Sequence, residues 1–224
     1  MPALHEDDGV FVLDLGDGEN RFSPDWLEEI NKFLDAIAGH PGPSALVTTG
    51  RGKFYSNGLD LEWVVEHADR LASYRADVQE LLARVLTLPV PAVAAVNGHA
   101  FGAGAMLALA HDFRVMRADR GYFCFPEVDI DVPFTPGMAA LIQGKLTPAA
   151  AVEAMTTGRR FGGVRARDRG LVDEVADEGE VVRAAVELVR PLAGKSRDAL
   201  GAIKSTMFAS AVTALRTPEA VAQP

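Results

Sequence analysis

Two glycine-bearing loops and one carboxylate hold the residue types that could do chemistry in this chain. The loops are Ser56-Asn57-Gly58-Leu59-Asp60 and Asn97-Gly98-His99-Ala100-Phe101-Gly102-Ala103-Gly104. Each follows a strand-forming run and precedes a helix-forming one, so each can aim backbone N–H groups at an anion. Gly58, Gly102, Ala103 and Gly104 leave room for a ligand to reach the main chain. Taken alone, either loop is also explained by turns and tight helix packing. The carboxylate is Glu127, set among Phe123, Phe125, Pro126, Val128 and Ile130. An arbitrary glutamate caps a helix or pairs with a cation. Apolar neighbours point instead to a carboxyl raised in pKa by burial, as a base working near neutrality requires.

Other chemistries find less support. Cys124 is the single cysteine, so no intrachain disulfide can form, and its apolar setting reads as a small core residue. His99 and His111 lack the spacing of a metal motif such as HExxH and read as structural histidines, so no metal is expected. The glycines do not complete a GxGxxG dinucleotide fingerprint, and a GxxxxGK[ST] phosphate loop is absent. Asp60 and Asp112 read as caps or loop holders, and Asp129 and Asp131 as structural or mouth residues.

The elements that must position these residues follow from pattern. Val10 to Leu15, Ala45 to Thr48 and Ala92 to Val96 read as strands, the last a continuous small apolar run suited to a sheet buried on both faces. Ser23-Pro24 opens a helix that carries Trp26, Leu27, Ile30, Phe33, Leu34 and Ile37 at helical spacing and ends at Gly39. The segment from Leu61 to Leu88 is helix-rich, and AMLALAHD is a helix followed by the strand-like FRVM. Helices are expected at Met138 to Leu146, Thr147 to Thr156, Val181 to Leu192 and Lys195 to Ala214, with a VDEV strand near Leu171. Alternation at this spacing predicts an α/β fold with right-handed crossovers.

Composition bounds the rest. The 224 residues are 48% hydrophobic and 24% charged, in the range of a folded domain. A net charge of −9 repels a nucleic-acid backbone or an anionic membrane surface. The acidic start MPALHEDDG has no signal-peptide pattern, and the apolar region from Pro91 to Ala110 is interrupted by polar residues and glycines, so a cytoplasmic protein is expected.

In order, GKFYSNGLDL, PAVAAVNGHAFGAGAMLALAHDFRV and FPEVDI resemble the crotonase (enoyl-CoA hydratase/isomerase) superfamily. The resemblance runs from about the first strand to the region of Asp173. It implies a ββα spiral core over residues 1–193 and a short C-terminal helical segment of the trimerising kind over 194–224. It also implies an acyl-CoA thioester as substrate, whose carbonyl would sit in an oxyanion hole of the Leu59 and Ala103 backbone N–H groups.

Family hydratases use two glutamates. Here the first position is Met106, which cannot take a proton from water, and the second is Glu127. A single base suits a Δ3-Δ2 double-bond shift, and the SNGxDL, HD and EVDI stretches are most similar to family isomerases of the plant peroxisomal type. The resemblance therefore implies an isomerase of fatty acid β-oxidation with Glu127 catalytic. It needs no cofactor, since coenzyme A is part of the substrate. Substrate-binding candidates are Lys53, Ser56, Gly58, Gly102, Met106 and Phe134, with Trp63 and Met138 as further candidates for the tail pocket. Lys53 and Lys204 are candidates for coenzyme A phosphates, or else solvated surface lysines. A homotrimer or hexamer is implied, although the C-terminal region is short and TPEAVAQP reads as frayed. The alternatives are a hydratase, another enolate-forming or hydrolytic crotonase, and a catalytically silent acyl-CoA-binding scaffold.

Overall fold

The computed structural model describes residues 1–218; most of the TPEAVAQP segment read as frayed lies outside the described residues. The strands expected from sequence form as β2 (Val10–Asp14), β3 (Ala45–Thr49), β5 (Ala92–Val96), β7 (Phe113–Arg117) and β9 (Glu174–Ala176), and four more join them: β1 (Ala3–Asp7), β4 (Phe54–Ser56), β6 (His99–Phe101) and β8 (Phe123–Cys124). Six of them make one sheet in the order β1-β2-β3-β5-β7-β9, parallel except where β1 meets β2. β5 lies at its centre and is buried throughout, as its side-chain pattern requires.

Alternate residues of this sheet face two cores. Val10, Val47, Val93, Ala95 and Val115 pack on Val181, Ala185 and Val189 of α8 (Val181–Val189). Phe11, Leu46, Ala94 and Val96 face the larger core, which takes in α1 (Pro24–Gly39), much of α3 (Leu71–Leu86) and α4 (Ala103–Ala110). The remaining helices are α2 (Leu61–Glu66), α5 (Pro136–Lys145), α6 (Pro148–Thr156), α7 (Gly163–Asp168), α9 (Arg197–Met207) and α10 (Ala209–Arg216). α10 folds back onto α3 and α5.

Besides α7, which is not expected from sequence, and the division of Lys195 to Ala214 into α9 and α10, the structure departs from the sequence-based elements in three places. The acidic N-terminus is a strand: Asp8 and Gly9 both take positive φ, 49° and 74°, and close a two-residue hairpin with Asp7 opposite Val10. Asp-Gly is a strong signal for that turn. The stretch from Leu61 to Leu88 is two helices, parted by a 3-10 turn over Ala68–Arg70. The third departure is a second sheet, β4-β6-β8, whose strands are only two or three residues long and so carry almost no periodic signal.

Lys204 corrects both expectations held for it. It is 4% exposed, and its Nζ donates to Leu88 O at 3.0 Å, Val90 O at 2.9 Å and Asp112 Oδ2 at 2.7 Å. With its donors spent inside the fold it is neither solvated nor free to meet a phosphate. Asp112 Oδ2 also accepts the Ala92 N–H at 2.8 Å, tying the pair to the central strand. Removing one partner of a buried ion pair leaves the other charged and unpaired. Lys204→Met is therefore expected to lower unfolding stability by about 3 kcal/mol, measured by urea denaturation.

Candidate functional site

Strands β4, β6 and β8 pair in parallel, so their carboxyl ends open on one edge, where ligands collect in parallel sheets. The residues that follow them are Asn57 to Leu59, Gly102 and Ala103, and Phe125 to Glu127. Together with Arg21, Leu61, Glu62, Ile130 and Val132, residues of these three segments line a cleft of about 270 Å³.

The direction of each backbone donor follows from the planar trans peptide. The Phe22 N–H donates to Gly58 O at 2.8 Å, so the N–H of the same peptide unit, that of Leu59, points the opposite way. The Gly102 carbonyl accepts the Met106 N–H at 3.0 Å in the first turn of α4, which turns the Ala103 N–H out of the helix N-terminus. Neither N–H has an acceptor among the described residues, and both residues line the cleft.

The two loops approach so closely that only glycine fits between them. A methyl group built on Gly58 would stand 2.8 Å from Phe101 O and 2.9 Å from Ala103 N; one on Gly104 would stand 2.4 Å from Ser56 O. Gly58 also takes φ 78°, which side chains rarely adopt.

Glu127 opens a 3-10 turn, Glu127–Asp129, and is 8% exposed. Its Oε1 lies 3.4 Å from a methyl group built on Gly102, next to the second donor. Its Oε2 is buried without a hydrogen-bond partner. Burial pushes the carboxyl up to about 7, against a weaker opposing hydrogen bond from its own backbone. A buried acceptor left open beside two open donors is a site prepared for a group that the protein does not itself supply.

Of the residues singled out from sequence, Leu59, Gly102, Ala103 and Glu127 meet in the cleft. Gly58 holds the two loops together behind it. The Ser56 hydroxyl is fully buried; it donates to Asn20 O at 2.7 Å and accepts the Gly58 N–H at 3.1 Å. Met106 is 1% exposed in the larger core. Phe134 stands edge-on to Phe125, Met138 is buried, and Trp63 stacks on His67 at 4.4 Å. Lys53 is exposed, with Nζ 5.2 Å from the Phe54 ring centre.

Asp60 caps α2, accepting the Trp63 N–H at 3.2 Å. His111 is structural: Nδ1 donates to Leu107 O at 2.8 Å and Nε2 meets Thr48 Oγ1 at 2.9 Å, and burial takes its pKa down to about 3. Burial pushes the Cys124 thiol up to about 11. His99 lies among the rings of Phe54, Phe101 and Tyr122.

Sequence reasoning missed Arg21, Glu62 and Val132 in the cleft, and the part played by Glu19 to Phe22. That segment runs beside the first loop: the Asn57 N–H donates to Glu19 O at 2.8 Å, and Arg21 bridges Gly58 in parallel. No local signal reports a pairing over this separation.

Two expectations follow. Gly58→Ala forces a methyl group against backbone in a disfavoured conformation, and should lower stability by about 2 kcal/mol or more, read by thermal unfolding. Glu127 binds its proton more tightly folded than unfolded, so ionising it opposes folding. Stability then falls as pH rises from the ordinary carboxylate range through about 7. Glu127→Gln should be more stable than the parent at pH 8, by about 2 kcal/mol, and no more stable below pH ~4. Urea unfolding at both pH values checks this.

A model of the family described as enoyl-CoA hydratase/isomerase matches residues 5–223. The chain is 38% identical over 221 residues to the peroxisomal enoyl-CoA delta isomerase 2 of Arabidopsis thaliana, spanning 93% of this chain and 92% of that protein. Enoyl-CoA delta isomerase 3 of the same plant is also 38% identical, over 87% of this chain and 86% of its own length. Among solved structures, an enoyl-CoA isomerase of Mycobacterium tuberculosis superposes with TM-score 0.88 at 30% identity, covering 96% of this chain and 94% of that one. An enoyl-CoA hydratase of Mycobacterium marinum does so with TM-score 0.87 at 29% identity, covering 97% and 95%. With the matched model spanning nearly the whole chain and a spiral of two sheets behind the cleft, this chain belongs to the enoyl-CoA hydratase/isomerase family of enzymes, the crotonase superfamily.

Proposed function

We propose that the protein moves a double bond from the 3- to the 2-position of an enoyl-CoA, with Glu127 as the single proton carrier and the Leu59 and Ala103 N–H groups as the oxyanion hole. The Glu127 carboxylate takes a proton from C2. The electron pair left behind spreads over the thioester carbonyl and the C3–C4 double bond, and the negative charge gathers on the carbonyl oxygen between the two donors. Glu127 then returns the same proton to C4, leaving the double bond between C2 and C3. Atoms and charge balance with no water and no cofactor, coenzyme A being part of the substrate. Lys53, exposed beside the first loop, is the proposed partner of a coenzyme A phosphate.

The observation that carries this reading is that Glu127 is the buried carboxylate of the cleft. Glu62, the other acid lining it, has a side chain 83% exposed and pairs with Arg21 at 3.0 Å. Adding water to a 2-enoyl thioester calls for a second acid–base group near the reacting carbons, and Met106 places a buried thioether at the position where family hydratases carry one. The names of the Arabidopsis relatives agree with the isomerase reading.

The test follows purified protein on a 3-enoyl-CoA and on a 2-enoyl-CoA, with bond migration and water addition monitored separately. Migration without hydration is expected; hydration as the faster reaction would overturn the proposal. Glu127→Gln should cut migration by about 10²- to 10⁴-fold. The base must be ionised to act, so kcat/KM of the parent should rise with pH through about 7 and level off above it. A profile flat from pH 5 to 9 would remove Glu127 from this role.

A further inference from the structure

We infer that Asn20 is a positioning residue that sets the direction of the Leu59 N–H, acting through the Glu19 to Phe22 segment. This rests on the oxyanion-hole reading above and names what holds one of its two donors in place.

Asn20 is not a turn residue on the surface. It is 7% exposed and takes φ 49°, a left-handed conformation that asparagine tolerates better than most residues. Its Nδ2 lies 3.0 Å from Tyr55 O, 3.4 Å from Phe54 O and 3.3 Å from Gly16 O. One amide thus gathers carbonyls from β4 and from the end of the β2 segment. The Asn20 carbonyl accepts the Ser56 hydroxyl at 2.7 Å, and that oxygen accepts the Gly58 N–H at 3.1 Å.

The left-handed residue turns the chain so that Phe22, two positions on, can donate to Gly58 O at 2.8 Å. Asn20 therefore bears on both peptide units of Gly58. Its carbonyl fixes the N–H side through Ser56, and its backbone turn brings in the N–H that fixes the carbonyl side. The carbonyl side belongs to the same rigid plane as the Leu59 N–H. A donor held in this way needs no reorganisation when charge develops on the substrate, which is where such sites gain most of their effect.

Two variants separate the amide from the backbone. Asn20→Gly keeps the left-handed conformation and removes the amide; Asn20→Asp keeps the shape and presents oxygen, not N–H, to three carbonyls. Each is made alone for kinetics and in a Glu127→Gln background for infrared spectroscopy of a bound enoyl-CoA carrying a ¹³C-labelled thioester carbonyl. In the Glu127→Gln parent the carbonyl stretch should shift to lower frequency on binding. Loss of about half that shift in either Asn20 variant, with kcat down about tenfold or more and KM within about twofold, is the expected result. A full shift and parental kcat in both variants would overturn the inference, even if both melt at lower temperature. No shift in the Glu127→Gln parent would overturn the oxyanion-hole reading itself, and this inference with it.

Discussion

The close approach of two backbone loops is the constraint on which the rest of this structure depends. Gly58 and Gly104 let the segment after β4 and the start of α4 come within contact distance of each other's main chain, and no side chain could occupy the space between them. The three short strands of the small sheet, the left-handed backbone of Gly58 and Gly102 and the buried start of α4 all serve that approach. It leaves two N–H groups facing one cleft with a carboxyl of raised pKa beside them. A backbone donor has a direction set by its peptide plane and does not change rotamer, so the precision of the cleft comes from hydrogen bonds behind it.

Burial gives Glu127 its character and also limits it. The same apolar surroundings that push its carboxyl up to about 7 leave Oε2 without a partner, a cost in folding free energy that a structural glutamate would avoid by pairing. His111, also buried, shows the opposite solution: both ring nitrogens are engaged, by Leu107 O and Thr48 Oγ1. His99 Nδ1 and Arg114 Nε are also buried without a partner, so what marks Glu127 as the candidate base is an open oxygen together with a place in the cleft beside two open donors.

Much of this was legible in the sequence where a local cause acts. Ser23 followed by Pro24 caps α1, accepting the Trp26 N–H, as those residue types dictate. The run from Ala92 to Val96 is the central strand because nothing in it can face water. The glycine loops could be picked out by their order along the chain and the family resemblance it carries, and Glu127 by that order and by its apolar neighbours. What escaped was set at long range. β6 and β8 are too short to show a period, and Arg21 and Asn20 gain their neighbours from a pairing some thirty-five residues away in sequence. Lys204 was misjudged for the same reason: a lysine on an amphipathic helix gives no local sign that a carboxylate 92 residues earlier awaits it.

The Lys204–Asp112 contact has a consequence for the order in which the molecule can be completed. Asp112 sits where α4 gives way to β7, beside the central strand, and its neutralising partner arrives on α9, after most of the chain has been made. Until that helix docks, Asp112 has the Ala92 N–H and the more distant charges of Arg114 and Lys145 but lacks the ammonium that hydrogen-bonds it in the finished fold. Closing this contact joins residues 92 apart in sequence, and contacts of such long separation are the kind that slow folding.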